Sequence, residues 1–378
     1  MAPRTLFVST FAPTLGDGRA LRTYTTVRAL AALGPVDLAY VAHGGDEPAP
    51  EYQAIGGLEF HVIRPSRGAR RALAFAFKRA QGAPPQCARG ASPEVVEVTR
   101  RLAACAGRVV AGDMNAMTAL MPFARSRPVV YNAHNVESSY RHDPDIGRVT
   151  WLPISLLERR ILRRAQESWM VSRRDMEHAR RLAPSARLRY VPNVVDVAAI
   201  VPRPPAQPGA DAAGPTVLMV GNFAYEPNAL GAKLLVDEVM PRVWAQLAGA
   251  RLRLVGRGLD PRLGAADERI AVEGFVEDLG SAYAAAAAVA VPLTESGGTP
   301  LKFVEALAYG VPVVATPLAA QGLDVRPGEH FREGADPGAF AAELVAVLRD
   351  GDAAMAARAR RLAEREYSVE TLTRLLAA

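Results

Sequence analysis

The sequence predicts an α/β protein built as two doubly wound domains, each a parallel sheet covered on both faces by helices. Three observations predict it. Short apolar runs alternate with segments of helical period along most of the chain, and a parallel strand needs such a crossover to reach its neighbour. The alternation stops at residues 201–215, VPRPPAQPGADAAGP, whose proline and glycine content suits a linker. It starts again at Thr216, and 378 residues are too many for most single cores but enough for two.

In chain order, the first domain is expected over residues 1–197. Its strands are read at 6–9, 36–41, 60–63, 109–111, 129–131 and 168–171, short apolar runs of the kind that are buried on both faces. Periodic segments at 20–33 and 93–105 read as crossover helices. The linker is placed at 198–215 and the second domain at 216–365, with strands at 217–220, 251–255, 270–272, 288–291 and 311–315. Residues 366–378 form a closing segment in which Ser368 stands as an N-cap before a periodic apolar run.

Composition narrows the class. The chain is 49% hydrophobic and 22% charged, as a globular protein is, and no apolar run reaches the roughly 18 residues a membrane span requires. The N-terminus runs straight into a strand without an apolar signal segment, so a cytoplasmic location is expected. Cys87 and Cys105 lack metal-ligand spacing and read as reduced thiols. The net charge of +6 is uneven: residues 1–197 carry +11 and residues 198–378 carry −5. A basic first half suits an anionic partner such as a membrane surface or a phosphorylated acceptor. An arginine-rich genome would give the same excess, since the chain has only three lysines, Lys78, Lys233 and Lys302. No nucleic-acid module or basic stretch interleaved with aromatics is present, so nucleic acid is not an expected partner.

The most informative stretch is 294–316, TESGGTPLKFVEALAYGVPVVAT. Gly297, Gly298 and Thr299 make a loop whose backbone amides can approach a ligand, because glycine has no Cβ to hold it off. From Pro300 and Leu301 the apolar positions Leu301, Val304, Leu307 and Ala308 recur at helical spacing, Gly310 ends the helix, and an apolar strand follows. A loop feeding a helix N-terminus in this way is suited to a phosphate or diphosphate.

The segment EALAYGVPVVAT, residues 305–316, resembles the donor-site signature of retaining, nucleotide-sugar-dependent glycosyltransferases of family 4, which have the GT-B fold. The resemblance implies two Rossmann-like domains facing a cleft, with the donor on the second, the acceptor on the first and the closing helix returning to the first. It implies that Glu305, the second Glu of a Glu-x7-Glu motif, holds the ribose hydroxyls. The first Glu is missing: Gly297 stands there, and Glu295 lies two positions too early. This chain is similar instead to members with a Gly-Gly-Thr loop followed by a Lys, here Lys302. Many family members place an Arg and a Lys after the first strand of the second domain to clamp the diphosphate; here Gly221 and Asn222 stand in that loop and neither cation is found, so Lys302 and Arg257 are the candidate cations for the diphosphate.

Further positions follow from the same resemblance. The loop of Gly16, Asp17, Gly18 and Arg19 lies between a strand and a helix, at the sheet edge where α/β proteins bind ligands, and is similar to the family's acceptor and phosphate loop. An ordinary strand-to-helix turn is the alternative. His134, after the strand at 129–131, resembles a histidine that faces the donor sugar, and is assigned sugar contact rather than general-base work. Val276, in the segment Glu273 to Val276, is similar to the part whose backbone reads the base. Asp143 and Asp145 lie in a proline-containing loop and read as structural.

Two segments, 64–79 and 151–164, mix Arg clusters with Leu, Ile, Phe and Trp. Each suits either peripheral contact with an anionic bilayer, reaching a lipid-linked acceptor at its inner face, or a packed helix with a charged outer face. The reading as a whole is a retaining hexosyl-type transferase. It takes a nucleotide-sugar donor and a hydroxyl acceptor and needs no cofactor or metal. A nucleotide-sugar epimerase and a noncatalytic partner of another transferase are the alternatives.

Overall fold

The computed structural model describes residues 3–42, 47–66, 68–80, 92–139, 147–202, 214–276, 278–294 and 299–377. The chain forms two compact units, Met1–Asn193 with Val369–Ala378, and Val194–Ser368. Residues 194–202 therefore belong with the second unit, whereas the sequence reading carried the first domain to residue 197.

The first unit is a seven-stranded, wholly parallel sheet. Its strands are β1 (Thr5–Ser9), β2 (Val36–Val41), β3 (Leu58–Ile63), β4 (Arg108–Ala111), β5 (Val130–Asn132), β6 (Glu167–Met170) and β7 (Leu188–Tyr190), in the order β3-β2-β1-β4-β5-β6-β7. Every residue of β1 and β2 is buried, which is why they read as unbroken apolar runs. Leu6, Val8, Val109 and Ala111 pack on one face with Val95, Met117, Leu120 and Ile161. The closing helix Val369–Ala377 packs against the helix Gly18–Ala31 in this unit.

The second unit is a six-stranded parallel sheet of β8 (Thr216–Val220), β9 (Arg251–Val255), β10 (Ile270–Glu273), β11 (Ala288–Val291), β12 (Val313–Ala315) and β13 (Arg332–Glu333), ordered β10-β9-β8-β11-β12-β13. Alternate residues serve opposite faces. Val217 and Met219 join Leu344 and Phe340 in one core layer, and Leu218 and Val220 join Phe303, Val304 and Leu307 in the other. In each sheet the strand order reverses beside the first strand, between β1 and β4 and between β8 and β11, and crevices at such reversals are where open α/β sheets bind ligands.

The sequence placed the long central strands closely but missed β7 and β13, which are short, polar and only partly buried. The run at 311–315 becomes a strand only from Val313, because Pro312 has no N–H to give the ladder; its carbonyl still accepts from the Val289 amide. Gly310 ends the preceding helix in the left-handed conformation, φ 67° and ψ 33°.

Gly256, after β9, has φ +145°, and a Cβ there would collide with the carbonyl oxygen of Gly221. The Gly256→Ala protein is expected to lose roughly 1–3 kcal/mol or more of stability through backbone strain and this collision. Chemical denaturation checks it, and an unchanged midpoint would mean that the two loops are not held this close.

Candidate functional site

In the second unit the loops after β8, β9 and β10 and the helix after β11 gather at the carboxyl edge of the sheet. The helix Leu301–Tyr309 begins at Pro300, its N-cap residue, and places Lys302 in its first turn. Lys302 is buried, and its Nζ donates to Asn228 Oδ1 at 2.5 Å. Asn228 lies on the helix Glu226–Leu234 that follows β8, and its Nδ2 donates to the Asn222 carbonyl at 2.8 Å. Lys302 and Asn228 thus join the two helices that flank the β8/β11 reversal. Gly221 lies directly over the pair: a Cβ there would sit 3.2 Å from Asn228 Cγ and 3.3 Å from Lys302 Nζ.

Lys302 makes no ion pair within 4 Å among the described residues. Burial lowers its pKa to about 8, against the attraction of Glu305. Its position near the positive end of the helix dipole adds a further cost to the cation. Glu305, one turn on, accepts from the Tyr283 hydroxyl at 2.9 Å, and Tyr283 stacks on Tyr309 with ring centroids 4.5 Å apart. Burial raises the Glu305 carboxyl, while Tyr283 and Lys302 oppose that rise.

Other candidates are placed around this pair. Arg257 lies over the exposed Phe275 ring at 4.4 Å, and its carbonyl accepts from Phe223 N. Thr299 is buried beside Pro300, and Leu301 and Val276 are half-buried against the core layer of Phe303 and Leu307. Gly297 and Gly298 lie outside the described residues, as do Asp143 and Asp145.

In the first unit the corresponding edge is organised by Asp113, which the sequence reading did not single out. Its carboxylate accepts from Thr10 N and Thr10 Oγ1 at 2.8 Å each and from Ala116 N at 2.8 Å, so it caps the helix after β4 and ties it to the loop after β1. His134, after β5, has its Nε2 2.8 Å from the Gly112 carbonyl. A carbonyl only accepts, so Nε2 carries the proton and Nδ1 is the lone-pair nitrogen. Nδ1 is buried without a hydrogen-bond partner among the described residues. Burial, with Arg22 nearby, pushes the imidazole pKa down to about 3. Burial therefore favours the neutral imidazole, whose Nδ1 is available to accept a hydrogen bond.

Arg22 is the second residue that the sequence reading missed. It is buried, donates from Nη1 to the Val191 carbonyl at 3.0 Å and Asn193 Oδ1 at 3.1 Å, and leaves Nε and Nη2 without partners among the described residues. The signal was present: Arg22, Thr25, Thr26, Ala29 and Leu30 recur at helical spacing and are the buried face of their helix. Asp17 is the N-cap of that helix, accepting from Ala20 N at 2.9 Å, and Gly18 is its first residue. Arg19 reaches Asp17 at 3.5 Å and lies over the Phe11 ring at 4.7 Å. A Cβ at Gly16 would meet open space, so that position is not sterically restricted to glycine.

The loop bearing His134 is held from behind by Glu158. Its carboxyl accepts from Glu137 N at 2.6 Å and Ser138 N at 2.9 Å, and burial pushes its pKa up to about 8. Glu158 belongs to the helix Gly147–Arg164, whose Ile154, Leu157 and Ile161 are buried, as a packed helix with a charged outer face requires. In the helix Ala69–Ala80, Leu73 is 70% exposed while Phe75 packs toward the core. No helix among the described residues is long and apolar enough to cross a membrane. Among them, Asp37, Glu59 and His61 bring potential metal-ligand atoms within 4.8 Å of one another. Arg4 already lies there, donating to Asp37 at 2.9 Å and Glu59 at 3.1 Å.

Comparison with known proteins agrees with this architecture. Residues 214–350 match the family described as glycosyl transferases group 1. A phosphatidyl-myo-inositol mannosyltransferase of Mycobacterium leprae is 34% identical over 168 residues, 42% of this chain and 44% of that protein, so the match spans less than half of the relative's length. HepE of Anabaena, crystallised with UDP and glucose, superposes with a TM-score of 0.73 at 18% identity, covering 99% of this chain and 98% of that one. Sucrose-phosphate synthase from Thermosynechococcus elongatus gives 0.74 at 18% identity over 99% and 97%. The two Rossmann-like units form a GT-B-type α/β fold.

With three lysines in the chain, selective lysine labelling resolves Lys302 by nuclear magnetic resonance. Its ammonium is expected to titrate near pH 8, and Glu305→Gln to move that midpoint lower by removing the nearby negative charge. A midpoint at the ordinary lysine value would mean that the side chain lies in water.

Proposed function

We propose that this protein is a glycosyltransferase that moves a sugar from a nucleotide-diphosphate donor to a hydroxyl acceptor, with retention of configuration and without a metal ion. One observation carries the reading. A buried ammonium at the β8/β11 reversal is held by a neutral amide oxygen and has no ion pair among the described residues. Such a cation is relieved by an anion, and a diphosphate is the anion suited to a sheet edge of this kind.

The match to glycosyl transferases group 1 supports the reaction class, and HepE, captured with UDP and glucose, supports a uridine nucleotide as the first donor to try. In the reaction, Lys302 and the amides at the start of its helix take up the charge that grows on the leaving diphosphate. Glu305, fixed by Tyr283, accepts hydrogen bonds from the ribose hydroxyls. Asn222 and Gly221 let the diphosphate approach closely, and Arg257 with Phe275 borders the nucleotide. The first unit takes the acceptor near Arg19, with His134 as a neutral contact for a sugar hydroxyl. Retention rests on the likeness of residues 305–316 to retaining enzymes. In that front-side course the departing phosphate oxygen takes the acceptor proton, and the protein supplies orientation and electrostatics.

Two outcomes are expected. Because the Lys302 pKa lies near 8 in the free protein, UDP affinity falls as pH rises through 8, by on the order of tenfold between pH 7 and 9. Lys302→Ala flattens that dependence and lowers turnover by about 10²-fold. Calorimetry and transfer assays check both, and a pH-independent wild type with an active Lys302→Ala would remove Lys302 from the site. Transfer from UDP-glucose is also expected to survive excess EDTA. Its loss with chelator and return with Mg²⁺ or Mn²⁺ would show that a metal, not a fixed lysine, holds the diphosphate.

A further inference from the structure

The first unit has a polar cleft at the opposite edge of its sheet from His134 and Asp113. It has a volume of about 450 Å³ and lies at the amino ends of β4 to β7, next to the end of the closing helix. Arg108, Arg127, Arg187 and Arg189 line it, and among the described residues Glu167 is the one carboxylate of the lining. That carboxylate is fully engaged: Oε1 accepts from Arg189 Nε at 2.9 Å and Oε2 from Trp169 Nε1 at 2.8 Å. Arg108, Arg127 and Arg187 have no carboxylate within 4 Å among the described residues. The cleft therefore holds three guanidinium groups in excess.

Capping of the closing helix accounts for part of this charge. Arg189 donates to the Leu375 carbonyl at 2.9 Å and Arg108 to the Leu376 carbonyl at 3.1 Å, where the helix dipole is negative. It does not account for Arg127, whose described bond is to the Ala103 carbonyl at 2.7 Å, or for Arg187, which is exposed on the cleft rim. Like charges gathered in a recess repel, and Arg108 has its pKa lowered by burial and by Arg189. An anion entering the cleft removes that repulsion.

We infer that this cleft binds a phosphate-bearing anion, separately from the sheet edges that carry Lys302 and His134. Planar guanidinium forks lining one recess, from β4, β7 and the segments leading into β5 and β7, suit tetrahedral phosphate oxygens. The phosphate comes either from a soluble phosphorylated compound or from an anionic lipid headgroup.

The test uses the whole chain with Lys302→Ala, which silences the other proposed diphosphate site. Calorimetric titration with inorganic pyrophosphate, at fixed ionic strength in chloride, is compared with the same protein carrying Arg127→Gln and Arg187→Gln. Vesicles of phosphatidylcholine, with and without phosphatidic acid, form the second arm. Expected is binding of pyrophosphate, of acidic vesicles, or of both, weakened about tenfold or more by the paired changes. Pyrophosphate binding assigns a soluble source, and binding of acidic vesicles alone assigns a headgroup. Neither probe binding, or both binding equally to the two proteins, would overturn the inference. Arg187→Gln alone, at an exposed side chain, provides the same comparison if the paired variant does not fold.

Discussion

A parallel strand cannot reach its neighbour through a tight turn, and the architecture follows from that constraint. Each crossover brings the chain back to the same edge, so the loops after β8, β9, β10 and β11 all leave from the carboxyl edge. Where the order reverses, the helices after β8 and β11 lie on opposite sides of a crevice. Lys302 and Asn228 come from those two helices, 74 residues apart in sequence, and meet because the topology leaves them no other place. The same constraint in the first unit brings Thr10, after β1, against Asp113, after β4. One reversal is closed by a carboxylate that has its donors, and the other by an ammonium with only an amide oxygen. That difference leaves unbalanced positive charge at the second unit's reversal, which is the ground for the diphosphate site proposed there.

Close backbone approach has a similar origin. The loops after β8 and β9 touch through the Phe223 amide and the Arg257 carbonyl, and Gly256 and Gly258 permit it by adopting positive φ. Their residue types were visible in the sequence as Leu-Val-Gly-Arg-Gly after a strand, but the partner loop was not.

What the sequence disclosed, and what it did not, divides along this line. Central strands were legible because burial on both faces leaves unbroken apolar runs, and the helix at 301–309 was legible because Pro300 and Gly310 mark its ends. The edge strands β7 and β13 were not, because partial burial leaves no pattern in two or three residues. Lys302 and Glu305 were singled out from a local string. Asn228, Tyr283 and Asp113, their partners or counterparts, were not, because hydrogen bonds across 22 to 103 residues leave no spacing to read. Arg22 was passed over for a different reason. An arginine on a helix is normally solvated, and only its place on the Thr26 and Leu30 face marked it as buried.

Lys302 and Glu305 lie three residues apart on one helix, and burial works against the charge of both. Each supports the other's ionised form, yet neither is saturated: Lys302 bonds to an amide oxygen, and Glu305 accepts one described hydrogen bond from Tyr283. The ammonium calls for negative charge at the helix N-terminus, and the carboxylate calls for hydroxyl donors one turn further along. A free phosphate answers only the first demand and a neutral sugar only the second. A molecule with a diphosphate at one end and vicinal hydroxyls about one helical turn, roughly 5.4 Å, away answers both. That pairing of demands is why the proposed ligand is a nucleotide diphosphate rather than two separate molecules. It also implies that the two side chains act as a unit, so that removing either leaves the other without its supporting charge.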